Sequence, residues 1–115
     1  MSSARVDVSI ILVSYNTAAM TRSALDSIQA ETRGTNYEII AVDNASSDGS
    51  ADMIAAHPIK AELIRLEENI GFARANTLAA RRAKGRYILL INPDTVVLDG
   101  AIDKLVAFAR THPNA

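Results

Sequence analysis

Polar side chains that can bind a ligand follow three apolar, strand-like runs of this chain, directly where each run ends. In a parallel sheet such positions share one edge, and ligands of open α/β sheets bind outside the carboxyl ends of the strands. An Asp or Asn after a strand is about as often a helix cap, so each cluster alone is a weak signal. Three clusters at one edge favour a ligand site. They are Ser14, Tyr15 and Asn16; Asp43 and Asn44; and Asn92 and Asp94.

The carboxylates of two clusters suit different parts of a nucleotide ligand. Asp43 can accept a hydrogen bond from the imide N–H of uracil or thymine, and a charged acceptor makes that bond stronger. Asp94, which follows Pro93, can hold a divalent cation that bridges a diphosphate, with Asn92 as a neutral oxygen donor. Mg²⁺ and Mn²⁺ prefer oxygen ligands and often use one or two carboxylates together with phosphate oxygens.

A fourth candidate cluster combines a glycine with polar side chains at the start of a predicted helix. Gly71 permits a positive φ or a close backbone approach. Arg74 is placed to reach an anionic ligand, and Asn76 lies one turn into the helix. The plainer interpretation of this basic segment is a solvated helix face, since charged residues are mostly exposed.

The elements that must position these clusters alternate between strand and helix. Apolar, β-branched runs predict strands over residues 8–15, 37–42, 61–66 and 87–91, and helical spacing predicts helices over 18–31, 50–56, 72–83 and 101–111. We expect caps from Asn16 or Thr17, Asp48 or Ser50, and Asp99, a C-cap at Lys84–Gly85, and helix stops at the His–Pro pairs of residues 57–58 and 112–113.

This alternation predicts one Rossmann-like α/β domain over residues 1–115. Short βαβ connections favour an open parallel sheet of about four strands, with helices on both faces. We expect strand order 3-2-1-4, which places the crevice between the first and fourth strands.

Composition narrows the classes of partner. The 115 residues are 49% hydrophobic with a net charge of −1, which argues against binding to nucleic acid through bulk charge. The chain has no cysteine, which excludes disulfides and thiolate sites, and it has no apolar run of about 18 residues to span a membrane. We expect a cytoplasmic protein.

The sequence motifs argue against two other classes of nucleotide-binding protein. The chain contains neither a G-x-G-x-x-G fingerprint nor a P-loop. A nucleotidyltransferase would need a phosphate-binding loop rich in glycine, arginine and lysine after the first strand, where this chain has SYNTAAM. A receiver-like, non-catalytic nucleotide-binding module would need an acidic cluster there.

Four ordered motifs resemble the N-terminal half of family 2 glycosyltransferases, which have the A-type glycosyltransferase fold. The motifs are SIILVSYN, IIAVDNASSDGS, NIGFARANT and LLINPDT, and the rhamnosyltransferase-like subgroup is the most similar in style. The resemblance implies transfer of a sugar, with inversion, from a UDP- or dTDP-sugar to a saccharide or other hydroxyl acceptor, as in bacterial polysaccharide synthesis.

The resemblance also assigns roles to individual residues. Residues 13–16 would line the base and ribose pocket, Asp43 would bind the base, and Gly71 and Asn76 would lie beside the donor. Asn92-Pro93-Asp94 falls on the D-x-D metal motif with Asn in place of the first Asp. Asn44 stands where many members have a second Asp.

The length of the chain gives two further expectations. Family members carry their acceptor site and catalytic base in a second half, so we expect this chain to be a fragment that is inactive alone. Further strands would pair beyond the fourth strand in the complete fold. We therefore expect the fragment to self-associate through that exposed apolar edge.

Overall fold

Four strands and four helices alternate along the chain in the computed structural model, which describes residues 5–112. The strands are β1 (Val8–Ser14), β2 (Tyr37–Asp43), β3 (Glu62–Arg65) and β4 (Tyr87–Ile91). The helices are α1 (Ala18–Glu31), α2 (Ser50–Ala56), α3 (Phe72–Ala80) and α4 (Ala101–Thr111). The predicted element order is confirmed, and none of these helices is both long and apolar enough to cross a membrane.

The strands form one parallel sheet in the predicted order β3-β2-β1-β4. β1 lies at the centre, with Val8 opposite Tyr37 of β2 on one side and opposite Tyr87 of β4 on the other. All seven residues of β1 are buried, as expected for a strand covered on both faces. The order of the strands reverses between β1 and β4, which is where a crevice is expected.

Two apolar cores sandwich the sheet. The larger core joins alternate β1 residues, among them Ile10 and Leu12, to α1, α2 and α4. The smaller core joins the intervening residues Ile11 and Val13 to Ala75 and Ala79 of α3. Helices therefore lie on both faces, but within residues 5–112 α3 is the one helix on the second face, where it contacts β1 and β2.

The predicted N-cap of α1, Asn16 or Thr17, was wrong because the cap comes from a distant part of the chain. Helix α1 begins after Thr17, whose side chain makes no capping bond, and the Asp48 carboxylate instead accepts from the Ala18 N–H at 3.1 Å. Asp48 also accepts from the Ser50 N–H at the start of α2, as predicted. One carboxylate thus caps two helices.

Two other boundary predictions fail for local reasons. Asp99 does not cap α4, because Gly100 occupies the N-cap position without a side-chain bond and Asp99 has a left-handed φ of 54°. Helix α3 ends at Ala80, so Lys84 and Gly85 lie beyond it and form no C-cap. A Cβ on Gly85 would lie 2.5 Å from the backbone N of Ser9, so this glycine permits close approach to β1.

His57 does more than end a helix. Helix α2 ends at Ala56 as predicted, but the buried His57 ring also accepts from the Ile59 N–H through Nδ1. Nε2 therefore carries the proton in the neutral ring, and it lies 2.7 Å from the Asp26 carboxylate of α1. This contact connects α1 to α2.

Acid is expected to destabilise the fold through Asp7, Asp48 and Asp103. Hydrogen bonds from Arg110, Ser50 and Thr35, respectively, are the largest causes that lower their pKa values below the ordinary 3.8. A lowered folded pKa stabilises the fold at any pH above the unfolded value, and that contribution is lost as the pH falls through the folded pKa. The unfolding temperature should therefore fall steeply below about pH 4.

Asp103→Asn provides the test. Asp103 accepts from the Arg33 and Gly34 N–H groups and from the Thr35 hydroxyl, so it ties α4 to the loop before β2. Thermal melts from pH 7 to 2 should show a smaller loss on acidification for Asp103→Asn than for the parent chain. Asp99→Asn, at an exposed position with no side-chain hydrogen bond among residues 5–112, is the matched control. An unchanged acid dependence in Asp103→Asn would contradict this account.

Candidate functional site

The loops after β1, β2 and β4 meet the start of α3 around one cleft at the carboxyl edge of the sheet. Its volume is about 460 Å³. Four predicted site residues line it, namely Tyr15, Asn44, Gly71 and Asn92. The cleft lies at the reversal of strand order, so the topology places these residues together although they are distant in sequence.

Two other lining residues, Asn69 and Phe72, belong to the fourth candidate cluster but were given no role of their own from the sequence. Phe72, the first residue of α3, is 54% exposed and presents an aromatic ring to the cleft together with Asn69. An aromatic residue directly after Gly71 was the signal available in the sequence. Aromatic rings at such a position provide a stacking surface for a planar ligand.

Asp43 has a carboxylate oxygen without a hydrogen-bond partner. It is the last residue of β2 and only 3% exposed. Oδ2 accepts from the Ser46 N–H at 2.9 Å, whereas Oδ1 is buried and has no donor among residues 5–112. A buried acceptor left unpaired costs about 1–3 kcal/mol, so it calls for an explanation. Asp43 adjoins the cleft-lining Asn44, and a ligand that donates to Oδ1 would remove this cost.

Asn44 fixes the loop that forms one wall of the cleft. Its Oδ1 accepts from the Ile70 N–H at 2.9 Å, and its Nδ2 donates to the Gly71 carbonyl at 3.3 Å. Gly71 has φ 88° and ψ 162°, a region open almost exclusively to glycine. An Asp at position 44 would lose the bond to the carbonyl. Asn44 therefore positions the loop as well as lining the cleft.

The predicted residues after β1 hold neighbouring loops together. Asn16, with a left-handed φ of 51°, accepts from the Ser47 N–H at 2.8 Å, and its own N–H donates to the Ser46 hydroxyl. Ser14 is buried, and its carbonyl accepts from the Asn44 N–H at 2.8 Å. These bonds fix the segment beside Asp43 to the end of β1.

Asp94 lies on the other side of Pro93 from the main cleft. Asn92 and Pro93 line the 460 Å³ cleft, whereas Pro93 and Asp94 line a neighbouring one of about 280 Å³ against α1. The Asp94 side chain is exposed and makes no hydrogen bond or ion pair within residues 5–112. That range also holds no group of three His, Cys, Asp or Glu residues arranged for a metal. A single available carboxylate beside an amide fits a cation that keeps phosphate and water ligands, and it does not form a complete protein cage.

Arg74 and Asn76 are not brought into the main cleft. Arg74 is exposed and lines a separate groove of about 420 Å³ along α3, together with Arg81. Asn76 donates to the Phe72 carbonyl of its own helix at 3.1 Å. Both contacts agree with the plainer interpretation of a solvated helix face.

Comparison with known families decides the affiliation of the chain. Residues 9–115 match the family described as "Glycosyl transferase family 2", which is nearly the whole sequence. The chain belongs to this family. Curated relatives include an uncharacterized glycosyltransferase of Haemophilus influenzae, 29% identical over 92% of this chain and 35% of its own length. Another is the putative teichuronic acid biosynthesis glycosyltransferase TuaG of Bacillus subtilis, 30% identical over 88% of this chain and 41% of its own length.

Solved structures support the fold assignment. Residues 1–349 of S. aureus TarS, in complex with UDP-GlcNAc, superpose with a TM-score of 0.82 at 23% identity, covering 93% of this chain and 32% of that one. The mannosyltransferase PcManGT from Pyrobaculum calidifontis, in complex with GDP-Man and Mn²⁺, gives 0.76 at 29% identity, covering 90% and 31%. The family 2 chain described here spans between 29% and 41% of the length of three of the curated relatives that it matches.

Proposed function

We propose that this family 2 chain is the donor-binding part of an inverting glycosyltransferase, and that it binds a UDP- or dTDP-sugar. The unpaired, buried Oδ1 of Asp43 carries the proposal, since Asp43 directly precedes Asn44, which lines the 460 Å³ cleft. Uracil and thymine each present one imide N–H, and a carboxylate oxygen at that position accepts it without a competing donor.

Relatives and neighbours support a nucleotide-sugar ligand without fixing its base. TarS was solved with UDP-GlcNAc and PcManGT with GDP-Man. A carboxylate also accepts from the N1–H and N2–H groups of guanine, so GDP is the discriminating competitor. The rhamnosyl subgroup and a dTDP-sugar are finer forms of the proposal that rest on the sequence resemblance.

Asp94, with Asn92 nearby, is proposed to hold Mg²⁺ or Mn²⁺ at the diphosphate. The available Asp94 carboxylate and the Mn²⁺-bound mannosyltransferase support this assignment. Such a cation, when bound, offsets the negative charge of the leaving diphosphate. The substitution of the first D-x-D carboxylate by Asn leaves one protein charge there, so we expect a modest metal affinity.

The proposed reaction forms a bond between an acceptor hydroxyl oxygen and the anomeric carbon while the bond from that carbon to the diphosphate breaks. A general base takes the hydroxyl proton. We assign no base within this chain, and we propose that the base and the carbohydrate acceptor site belong to the second half of a complete family 2 domain. The chain alone is then expected to bind donor without transferring sugar. A cytoplasmic location belongs to the same proposal.

Calorimetric titration with UDP, dTDP, GDP and ADP, with and without Mn²⁺, tests the proposal. We expect a pyrimidine diphosphate to bind more tightly than GDP or ADP, and Mn²⁺ to increase its affinity. Asp94→Ala should remove the increase due to Mn²⁺, weakening binding at least about tenfold in the presence of the metal. Without metal, Asp94→Ala should bind as the parent chain does.

Asp99→Ala is the matched control, because Asp99 is also an exposed carboxylate after β4. It should leave the Mn²⁺ effect intact. Binding of ADP in preference to UDP and dTDP would favour a nucleotidyltransferase or another purine-binding module. A folded sample that binds none of the four diphosphates would overturn the proposal.

A further inference from the structure

Basic residues are concentrated in one segment of this chain, which spans α3 and β4. Residues 69–93 contain five of the twelve Lys and Arg residues and none of the thirteen Asp and Glu residues, although the whole chain has a net charge of −1. All five are exposed, namely Arg74, Arg81, Arg82, Lys84 and Arg86. A nearly neutral protein thus carries a local basic surface, which can attract an anionic partner.

Most of these charges have no partner in the fold. Arg82 pairs with Glu62 of β3, with Nη1 at 2.7 Å from Oε2. The side chains of Arg74, Arg81 and Lys84 make no hydrogen bond or ion pair within residues 5–112. Their cationic groups are therefore available to an anion outside the chain.

The two arginines of α3 without a partner border one groove on the outer side of the helix. The groove has a volume of about 420 Å³. It is lined by Ile70, Ala73, Arg74, Thr77, Leu78 and Arg81. Ala75 and Ala79 of the same helix are buried against β1 and β2, so the groove faces away from the sheet.

The groove lies on the side of α3 that is turned toward β3. Arg82 reaches Glu62 of β3, Leu78 is one turn before Arg82, and Arg74 is one turn before Leu78. β3 is one edge of the sheet, whereas the further strands of a complete family 2 domain are expected beyond β4, at the other edge. Strands added there would not cover the groove.

The groove provides positive charge and apolar surface but few hydrogen-bonding groups. Its one uncharged polar side chain, Thr77, donates its hydroxyl to the Ala73 carbonyl at 3.0 Å. An RNA strand would need aromatic rings for stacking, or free polar groups to contact its bases, and the groove residues include no aromatic side chain. A phospholipid surface needs only cations for its phosphates and aliphatic groups at the interface.

We propose that the basic face of α3, defined as the groove residues together with Lys84, binds the surface of an anionic phospholipid membrane. Arg74, Arg81 and Lys84 contact the lipid phosphates, and Ile70 and Leu78 contact the apolar side of the interface. Clusters of about four to eight Lys and Arg residues are typical of such surfaces. The proposal does not depend on the nucleotide-sugar function, because the groove shares no lining residue with the 460 Å³ cleft.

Co-sedimentation with lipid vesicles tests the proposal. The chain should bind vesicles of phosphatidylglycerol and phosphatidylcholine but not of phosphatidylcholine alone, and it should dissociate as salt rises from about 0.1 M to about 0.5 M. Replacing Arg74 and Arg81 together by Ala should weaken binding at least about tenfold, because two cations are lost. Replacing Arg22 and Lys104 together by Ala is the matched control, since it removes the same charge from exposed positions of α1 and α4 on the opposite face of the sheet. Binding should then change less than about twofold.

A fluorescent label locates the contact on the chain. The chain has no cysteine, so Thr77→Cys on α3 and Gln29→Cys on α1 can each be labelled at one site with an environment-sensitive dye. Anionic vesicles should shift the emission to the blue at position 77 and not at position 29. No binding of the folded chain to anionic vesicles, equal losses in the two double variants, or a shift at position 29 alone would overturn the proposal. Binding of polyuridylate or polyglutamate without binding of vesicles would also overturn it, and would assign the basic face to another polyanion.

Discussion

Replacing Asp43 by Asn is expected to change the nucleotide preference of the chain from UDP to CDP. The Ser46 N–H needs an acceptor, so the amide oxygen takes the place of Oδ2 and the NH₂ takes the place of the unpaired Oδ1. The NH₂ then meets the imide N–H of uracil donor to donor. Cytosine has an acceptor nitrogen at the corresponding ring position, so the same NH₂ donates to it.

The effect should be measured as the ratio of UDP to CDP affinity in calorimetry. Loss of a hydrogen bond to a charged acceptor costs about 1.5–3 kcal/mol, so UDP affinity should fall about 10- to 150-fold while CDP affinity rises. Asp94→Asn is the matched control, since it is expected to change both affinities in the same proportion. If Asp43→Asn lost equal affinity for UDP and CDP, Asp43 would not contact the base, and its unpaired Oδ1 would need another explanation.

The sheet was predictable because its signals are local. β1 and β4 are short apolar runs that end in polar residues, and alternation with helices restricts the connections to right-handed crossovers. The caps were less predictable because they act between distant residues. Asp48 caps α1 from 30 positions along the chain, and no pattern around Ala18 indicates this. Propensity therefore located the helices but not what stabilises their ends.

The position of the site at the carboxyl edge of the sheet was predictable from the sequence, but the shape of its cleft was not. Asn44 and Asn92 meet at one cleft because parallel strands end together, which topology alone implies. Whether an oxygen such as Oδ1 of Asp43 is satisfied depends on loop conformation, since Ser46 uses one carboxylate oxygen and leaves the other. The placement of Asp94 across Pro93 likewise depends on a backbone turn that the sequence letters do not specify.

Gly85→Ala should be among the most destabilising single changes in this chain, although it adds only a methyl group. The new Cβ would lie 2.5 Å from the Ser9 N and 2.7 Å from the Val8 carbonyl carbon, both backbone atoms of β1 that cannot move aside cheaply. The Gly85 N–H also donates to the Ser9 hydroxyl at 2.8 Å, and this hydroxyl donates to the Glu38 carboxylate. We expect a loss of about 2–3 kcal/mol in the free energy of unfolding, typical of overpacking.

Urea unfolding of Gly85→Ala, compared with that of Gly34→Ala, tests whether Gly85 is needed for the close approach to β1 or as a helix C-cap. A Cβ on Gly34 would make only ordinary contacts, at 3.7 Å from the Asp103 carboxylate, so that variant should change stability by no more than about 0.5 kcal/mol. If Gly85 acted as a C-cap, Ala would cost only about 1 kcal/mol, and a loss that small would contradict the close approach. The same contact holds the segment leading into β4 against β1. Gly85→Ala should therefore also weaken nucleotide binding, because Asn92 and Asp94 are carried at the far end of that strand.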